Sequence, residues 1–118
     1  WASNLAGDYP DTAAGTAVLS SGSLVLPTSS ASVSYRIWHA LGAGDTAALY
    51  WVQDGGTAQL LRQYLGSNGR WQSEAVSLSA YPAQTGHLEL RLTVDGASTA
   101  GAGVYLDAMT FQGYWYLP

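Results

Sequence analysis

The chain of 118 residues contains no cysteine and no lysine. Without cysteine, it has no disulfide framework, no zinc–thiolate site and no thiol nucleophile. Charged residues make up only 10% of the chain, and the formal net charge at pH 7 is −4. Nucleic acids and anionic membranes attract strongly basic surfaces, which this composition does not supply. We therefore expect no nucleic-acid partner.

Long apolar runs are also missing. No segment approaches the ~20 consecutive apolar residues that a membrane-spanning helix needs, so we expect no membrane span. The chain starts at Trp1 without a charged-then-apolar signal, which favours a mature fragment or one module of a longer protein. Apolar residues still form 47% of the chain, enough for one core, and we expect a single domain over residues 1–118.

Short apolar segments separated by Gly, Asp and Asn predict strands joined by turns. Segments 32–40 and 87–94 alternate between apolar and polar residues, the pattern of a half-buried strand. Between segments 46–53 and 58–65, the sequence Asp54-Gly55-Gly56 is typical of a hairpin turn. No segment has a sustained helical period. The sequence therefore predicts an all-β fold, an antiparallel β-sandwich of the jelly-roll type.

Four motifs follow one another from about Gly7 to Phe111: "AGDYPDTAAGTAVLSSGSLVLP", "YWVQDGGTAQLL", "RWQSEAVSLSAYPAQTGHLELRL" and "GVYLDAMTF". In this order they resemble MAM-like jelly-roll modules, which accompany secreted bacterial peptidases of the immune inhibitor A type and occur in surface-anchored proteins. The chain departs from the family pattern in two places. Ala58 and Gln59 stand where a Trp often follows the hairpin turn, and Ala108 stands where a second acidic residue often follows Asp107. The resemblance implies an extracellular or cell-surface accessory module.

Residues suited to catalysis are few. The only histidines are His39 and His87, and the only glutamates are Glu74 and Glu89. No Gly-x-Ser-x-Gly or His-Glu-x-x-His motif is present. A Ser–His–Asp arrangement assembled from distant positions stays open as an alternative. We expect a protein that is not an enzyme.

Three aspartates suggest a structural calcium site. Asp8 and Asp11 lie near the start of the chain and Asp107 near its end, and carboxylate oxygens are the ligands that calcium prefers. The first and last strands of a jelly roll commonly lie close together, which would bring the three side chains to one place. Alternatively, Asp8 and Asp11 only shape the Tyr9-Pro10 turn and Asp107 satisfies backbone donors.

The sequence Leu49-Tyr50-Trp51-Val52 raises the question of what covers two apolar faces, because neighbouring strand residues point to opposite sides. If segments 32–40, 46–53 and 58–65 pair as neighbouring strands, one solvent-facing surface of the sheet carries aromatic and basic side chains. That surface suits a glycan, whose C–H faces stack on aromatic rings. Two other interpretations stay open: these aromatics are core or loop-covered, or they bind a protein. The predicted ligand-binding residues are Trp38, Trp51, Arg36, Arg62 and Tyr64.

The segment "GYWYLP" (113–118) places three consecutive aromatic residues in a C-terminal tail, Tyr114, Trp115 and Tyr116. An extended apolar tail can add a strand to the sheet edge of a neighbouring molecule. We therefore expect a non-catalytic extracellular module for binding or adhesion, with a glycan or protein surface as its partner. The alternative is a subunit that self-assembles into a homo-oligomer, surface array or filament through this tail.

Overall fold

The computed structural model describes residues 15–96, 101 and 103–112 of the chain. These residues form β-strands and no helix, so no helix able to cross a membrane occurs among them. All strand pairs are antiparallel. The strands are β1 (Gly15–Ser20), β2 (Leu24–Val25), β3 (Ser32–Ala40), β4 (Thr46–Gln53), β5 (Ala58–Tyr64), β6 (Gln72–Ser77), β7 (Thr85–Val94) and β8 (Gly103–Gln112).

Two sheets pack face to face. The larger sheet has the order β1-β7-β4-β5, with β2 also paired to β7, and the smaller sheet has the order β6-β3-β8. From β3 to β8, every connection except the β4–β5 hairpin crosses from one sheet to the other. This winding is that of a jelly roll. The predicted all-β jelly-roll sandwich is therefore confirmed for the described residues.

The core lies between the sheets and follows the predicted alternation. In β3, Val33 and Ile37 are fully buried, and in β7 Leu88, Leu90 and Leu92 face the same interior. Their polar neighbours along each strand point outward, since successive side chains alternate between the two faces. Burying each such aliphatic side chain stabilises the fold by about 1.5–3 kcal/mol. The two-residue pattern of these strands thus fixes which side meets the core.

Trp51 belongs to this core. Its side chain has 0% exposure, and its indole Nε1 donates a hydrogen bond to Oε1 of Gln84 at 2.8 Å. The prediction that Trp51 faces solvent is therefore wrong, and the alternative that it is core is right for this residue. In β4 both alternating sets are apolar, and Leu49 and Trp51 occupy the interior while Tyr50 and Val52 point outward.

Tyr64 is also internal, with 7% exposure, which contradicts its predicted place on a ligand-binding surface. The cause is a bulge in β5. Leu49 pairs with Arg62 and Tyr50 with Leu60, so one extra residue interrupts the alternation. An inserted residue exchanges the faces of everything that follows it. Tyr64 consequently turns inward.

The bulge also sets the position of Arg62. This side chain is exposed at the outer edge of the sandwich, where the end strands β5 and β6 lie. Its Nη2 approaches the carbonyl oxygen of Ala75 on β6 at 3.5 Å, and its Nη1 donates to the carbonyl of Leu61 at 3.1 Å. A charged group and a bulge at a sheet edge oppose the pairing of further strands there. Arg62 thus bridges the two sheets.

Candidate ligand-binding site

The outward surface of the smaller sheet carries an aromatic row. Trp38 on β3 pairs directly with Tyr105 on β8. Trp71 immediately precedes β6, and Ile37 pairs with Gln72, so Trp71 falls on the other side of Trp38. Directly opposed residues of antiparallel strands project on the same side of the sheet, about 4.5–5.5 Å apart. The pairing of β3 between β6 and β8 therefore aligns three rings across the surface.

These three rings line an open depression of about 270 Å³, here named the aromatic cleft (Trp38, Trp71 and Tyr105). The ring centroids of Trp38 and Tyr105 lie 5.3 Å apart with planes at 72°, an edge-to-face contact. Trp71 is 43% exposed. On the same face of the sheet, the next pair is Ala40 and Gly103, whose side chains are the smallest possible.

A polar row runs beside the aromatic cleft. Arg36 on β3 pairs with Ser73 on β6 and with Asp107 on β8, and all three side chains are exposed. The guanidinium carbon of Arg36 lies 5.9 Å from the centroid of the Trp71 ring, within the range of a cation–π contact. This contact holds Arg36 at the margin of the cleft. The surface thus combines flat apolar rings with one cationic donor and one anionic acceptor.

The structure brings together two of the five predicted ligand-binding residues. Trp38 and Arg36 share the outward face of the smaller sheet, as predicted. Trp51 and Tyr64 are core residues, and Arg62 lies at the β5–β6 edge rather than in either row. The assumption of one continuous surface is wrong for these three side chains because it required β4 and β5 to pair beside β3.

Trp71 and Tyr105 are the residues that sequence analysis missed. Neither residue was given a role, although Tyr105 is spaced from Asp107, and Trp71 from Ser73, by two positions, as Trp38 is from Arg36. This matching spacing can be read from the local sequence. The order of the strands, which places β6 and β8 on either side of β3, cannot be read from it.

A second polar cluster occupies the outward surface of the larger sheet, on the opposite side of the sandwich. The Arg91 guanidinium carbon lies 4.2 Å from the centroid of the Tyr50 ring. The Arg91 side chain also donates hydrogen bonds to Glu89, through Nε at 2.8 Å and through Nη2 at 2.7 Å. His87 Nε2 lies 2.9 Å from the other Glu89 oxygen. The outer face of Tyr50 is therefore covered by the protein's own arginine.

This cluster is electrostatically self-contained. The hydrogen bond from His87, followed by the bonds and charge of Arg91, lowers the pKa of the Glu89 carboxyl below its ordinary value. Each charged group faces a partner within the cluster. It therefore offers a ligand fewer unengaged groups than the polar row beside the aromatic cleft.

The predicted calcium ligands are only partly described. Asp107 is exposed on the surface of the smaller sheet, in the polar row. Asp8 and Asp11 lie outside the described residues, as do Tyr114, Trp115 and Tyr116 of the aromatic tail. Within residues 15–96, 101 and 103–112, no group of three or more His, Asp or Glu side chains is placed to hold a metal ion. The calcium site stays a prediction.

Comparison with known proteins adds no assignment. The chain matches no protein-family model, and no curated protein matches it. The resemblance to MAM-like modules rests on the four motifs quoted above.

Proposed function

We propose that this protein is a non-catalytic, extracellular binding module that holds glycans in the aromatic cleft. The observation that supports the proposal is the row of three outward aromatic rings beside exposed Arg36 and Asp107. A pyranose ring has a C–H face that stacks on an aromatic ring and hydroxyl groups that need donors and acceptors. The aromatic row meets the first requirement, and the polar row meets the second.

The cleft is suited to binding rather than to bond cleavage. Its lining consists of two tryptophans and a tyrosine, whose flat rings are suited to stacking on a ligand. His39 and His87 are engaged elsewhere, with the carbonyl of Gly66 and the carboxylate of Glu89. An extracellular location is the part of the proposal that rests on the resemblance to secreted and surface-anchored modules. The predicted calcium site of Asp8, Asp11 and Asp107 is an alternative to this use of Asp107, because a carboxylate that binds calcium is not available to a sugar hydroxyl.

A glycan array tests this function. We expect the native chain to bind at least one glycan and Trp71→Ala to bind it at least about tenfold more weakly, a loss near 1.4 kcal/mol. Because Trp71 is 43% exposed, its removal leaves the core packing intact. The matched control is Leu60→Ala, which removes a 54% exposed apolar side chain from the larger sheet and should retain binding. Retention of binding by Trp71→Ala, or an array without any binder, would refute the proposal.

A second function, self-assembly, is favoured by one observation. Several large apolar side chains are exposed in a chain with few charges, among them Leu65 at 63% and Leu60 at 54%. Such side chains together with low charge promote association between copies. In this alternative, Tyr114, Trp115 and Tyr116 of one molecule contact another. Sedimentation over a concentration series tests it, and a monomer at every concentration would contradict it.

A further inference from the structure

We infer that the aromatic cleft accepts one uncharged hexopyranose unit and disfavours both acidic and amino sugars, an inference that rests on the proposed glycan-binding function. The deciding feature is the polar row. Arg36 and Asp107 are paired across β3 and β8, so their side chains leave the sheet side by side on the face that carries the cleft. A ligand seated on the rings therefore meets a cation and an anion together.

The two charges act in opposite directions on a charged sugar. A uronic acid seated beside Arg36 gains an attractive contact but brings its carboxylate toward Asp107 as well. An amino sugar is attracted by Asp107 and repelled by Arg36 in the same way. A neutral sugar avoids both repulsions, because its hydroxyls donate to a carboxylate and accept from a guanidinium with equal ease.

The neighbouring charged side chains, Glu74 and Arg70, leave Arg36 and Asp107 as the main charges beside the aromatic cleft. Glu74, the one carboxylate of β6, accepts hydrogen bonds from Tyr64 and Gln72. Within the described part of the chain, Arg36 and Asp107 form no ion pair, and both are exposed. Arg70, which precedes Trp71, is exposed but does not line the cleft. One donor and one acceptor thus dominate the polar contacts available to a sugar on the rings.

The size of the cleft limits the ligand to one ring. Three side chains line it, and its open space of about 270 Å³ lies over a single row. A single methyl hexopyranoside offers few atoms for contact, and ligand-efficiency limits then place the dissociation constant on the order of 1 mM. Useful affinity would come from several copies binding one polymer.

The test titrates the full chain with three families of matched monosaccharides and follows backbone amide NMR shifts at Trp38, Trp71 and Tyr105. The probes are methyl β-glycosides of glucose, galactose and mannose, the corresponding uronides, and the corresponding amino sugars in their ammonium form. We expect at least one neutral glycoside to bind severalfold more tightly than its uronide and its amine. A uronide or amine that binds more tightly overturns the charge selectivity but leaves the glycan-binding function standing.

Two charge variants sharpen the result. Asp107→Asn removes the anion, so we expect the uronide to gain affinity severalfold, while Arg36→Gln should favour the amino sugar. If neither variant changes the order of the three probes, the polar row does not set selectivity and the inference is wrong. If none of the neutral or charged probes shifts the cleft resonances, both the inference and the proposed glycan function fail.

Discussion

The hydroxyl oxygens of Tyr35 and Tyr64 lie 2.6 Å apart and join the two sheets within the core. Tyr35 belongs to β3 in the smaller sheet and Tyr64 to β5 in the larger sheet. Tyr64 also donates to Oε1 of Glu74 at 3.3 Å. Because a hydroxyl carries one hydrogen, the bond between the two phenols then has Tyr35 as its donor. The result is an ordered chain of hydrogen bonds from Tyr35 through Tyr64 to Glu74.

This order predicts unequal costs for two similar substitutions. Tyr64→Phe removes the acceptor of the buried Tyr35 hydroxyl, and we expect the free energy of unfolding to fall by about 1–3 kcal/mol. Tyr35→Phe leaves Tyr64 bonded to Glu74 and should cost less. The double variant should cost less than the sum of the two single variants. Urea unfolding measures the free energy of all three variants. Additive losses would show that the two hydroxyls are not coupled, and equal losses in the two single variants would contradict the order of the hydrogen bonds.

The same pair predicts a loss of stability in alkali. Burial, the largest cause, raises the pKa of Tyr35 to about 12, and burial together with the hydrogen bond to Tyr35 raises the pKa of Tyr64 as well. In the unfolded chain both phenols ionise near the ordinary value of 10.0. Their contribution to stability is therefore complete below the unfolded pKa and is lost as the pH rises toward the folded one.

The composition makes this effect measurable. Since the chain has no lysine and no cysteine, tyrosine is the main side chain that titrates between about pH 9 and 12. We expect the urea midpoint to fall across this range and the late tyrosinate absorbance to appear together with unfolding. The variant with both Tyr35→Phe and Tyr64→Phe should show a shallower decline. A native chain whose urea midpoint stays constant up to pH 12 would contradict the raised pKa values of Tyr35 and Tyr64.

The alternation in β3 and β7 was sufficient to predict the core, because in each strand only one face is apolar. In β4 the same method failed. Both Leu49–Trp51 and Tyr50–Val52 are apolar sets, and only packing against the other sheet decides between them. The sequence does not predict the bulge in β5 either, because this strand contains no Gly or Pro that would indicate one.

The candidate site shows the same division between local and distant information. Arg36 and Trp38 were predicted to face solvent because they alternate with buried Val33 and Ile37. Their partners Trp71 and Tyr105 lie on strands that are distant in sequence and adjacent in space. Which strands flank β3 depends on the winding of the whole jelly roll, and the local pattern does not specify it.

Gly86 on β7 lies where the backbone leaves no room for a side chain. A Cβ atom at this position would collide with the carbonyl oxygen of Val52 and would lie 3.0 Å from the Trp51 ring. We expect Gly86→Ala to lower the free energy of unfolding by about 1–3 kcal/mol or more, as overpacked core positions do. The backbone of β4 must shift to relieve the contact, and β4 is central to the larger sheet.

The matched control for that substitution is Gly15→Ala on β1, where a Cβ would meet nothing within 4 Å. Its effect on the free energy of unfolding should stay within about 0.5 kcal/mol. Thermal and urea unfolding of the two variants, made and measured together, give the comparison. Equal stability of the two variants would mean that the approach of β7 to the Val52 carbonyl is looser than these distances state.

The lowered pKa of Glu89 predicts that the fold loses some stability in acid. The hydrogen bond from His87, aided by Arg91, lowers the pKa of its carboxyl, so the folded state holds Glu89 ionised more strongly than the unfolded chain does. Its stabilising contribution is present above the ordinary pKa of 4.5 and is lost as the pH falls through the lower folded value. Because the cluster lies on the surface, we expect Glu89→Gln to cost only about 0.2–1 kcal/mol near neutrality.

The informative measurement is the pH dependence rather than the size of that loss. We expect the difference in unfolding free energy between the native chain and Glu89→Gln to shrink between about pH 5 and 3, where the carboxylate becomes protonated and both chains then present a neutral group. High salt should shrink it as well at neutral pH, because exposed ion pairs are screened. A difference that stays constant with pH would mean that the amide loses packing or hydrogen-bond geometry, and that the charge of Glu89 does not hold His87 and Arg91 together.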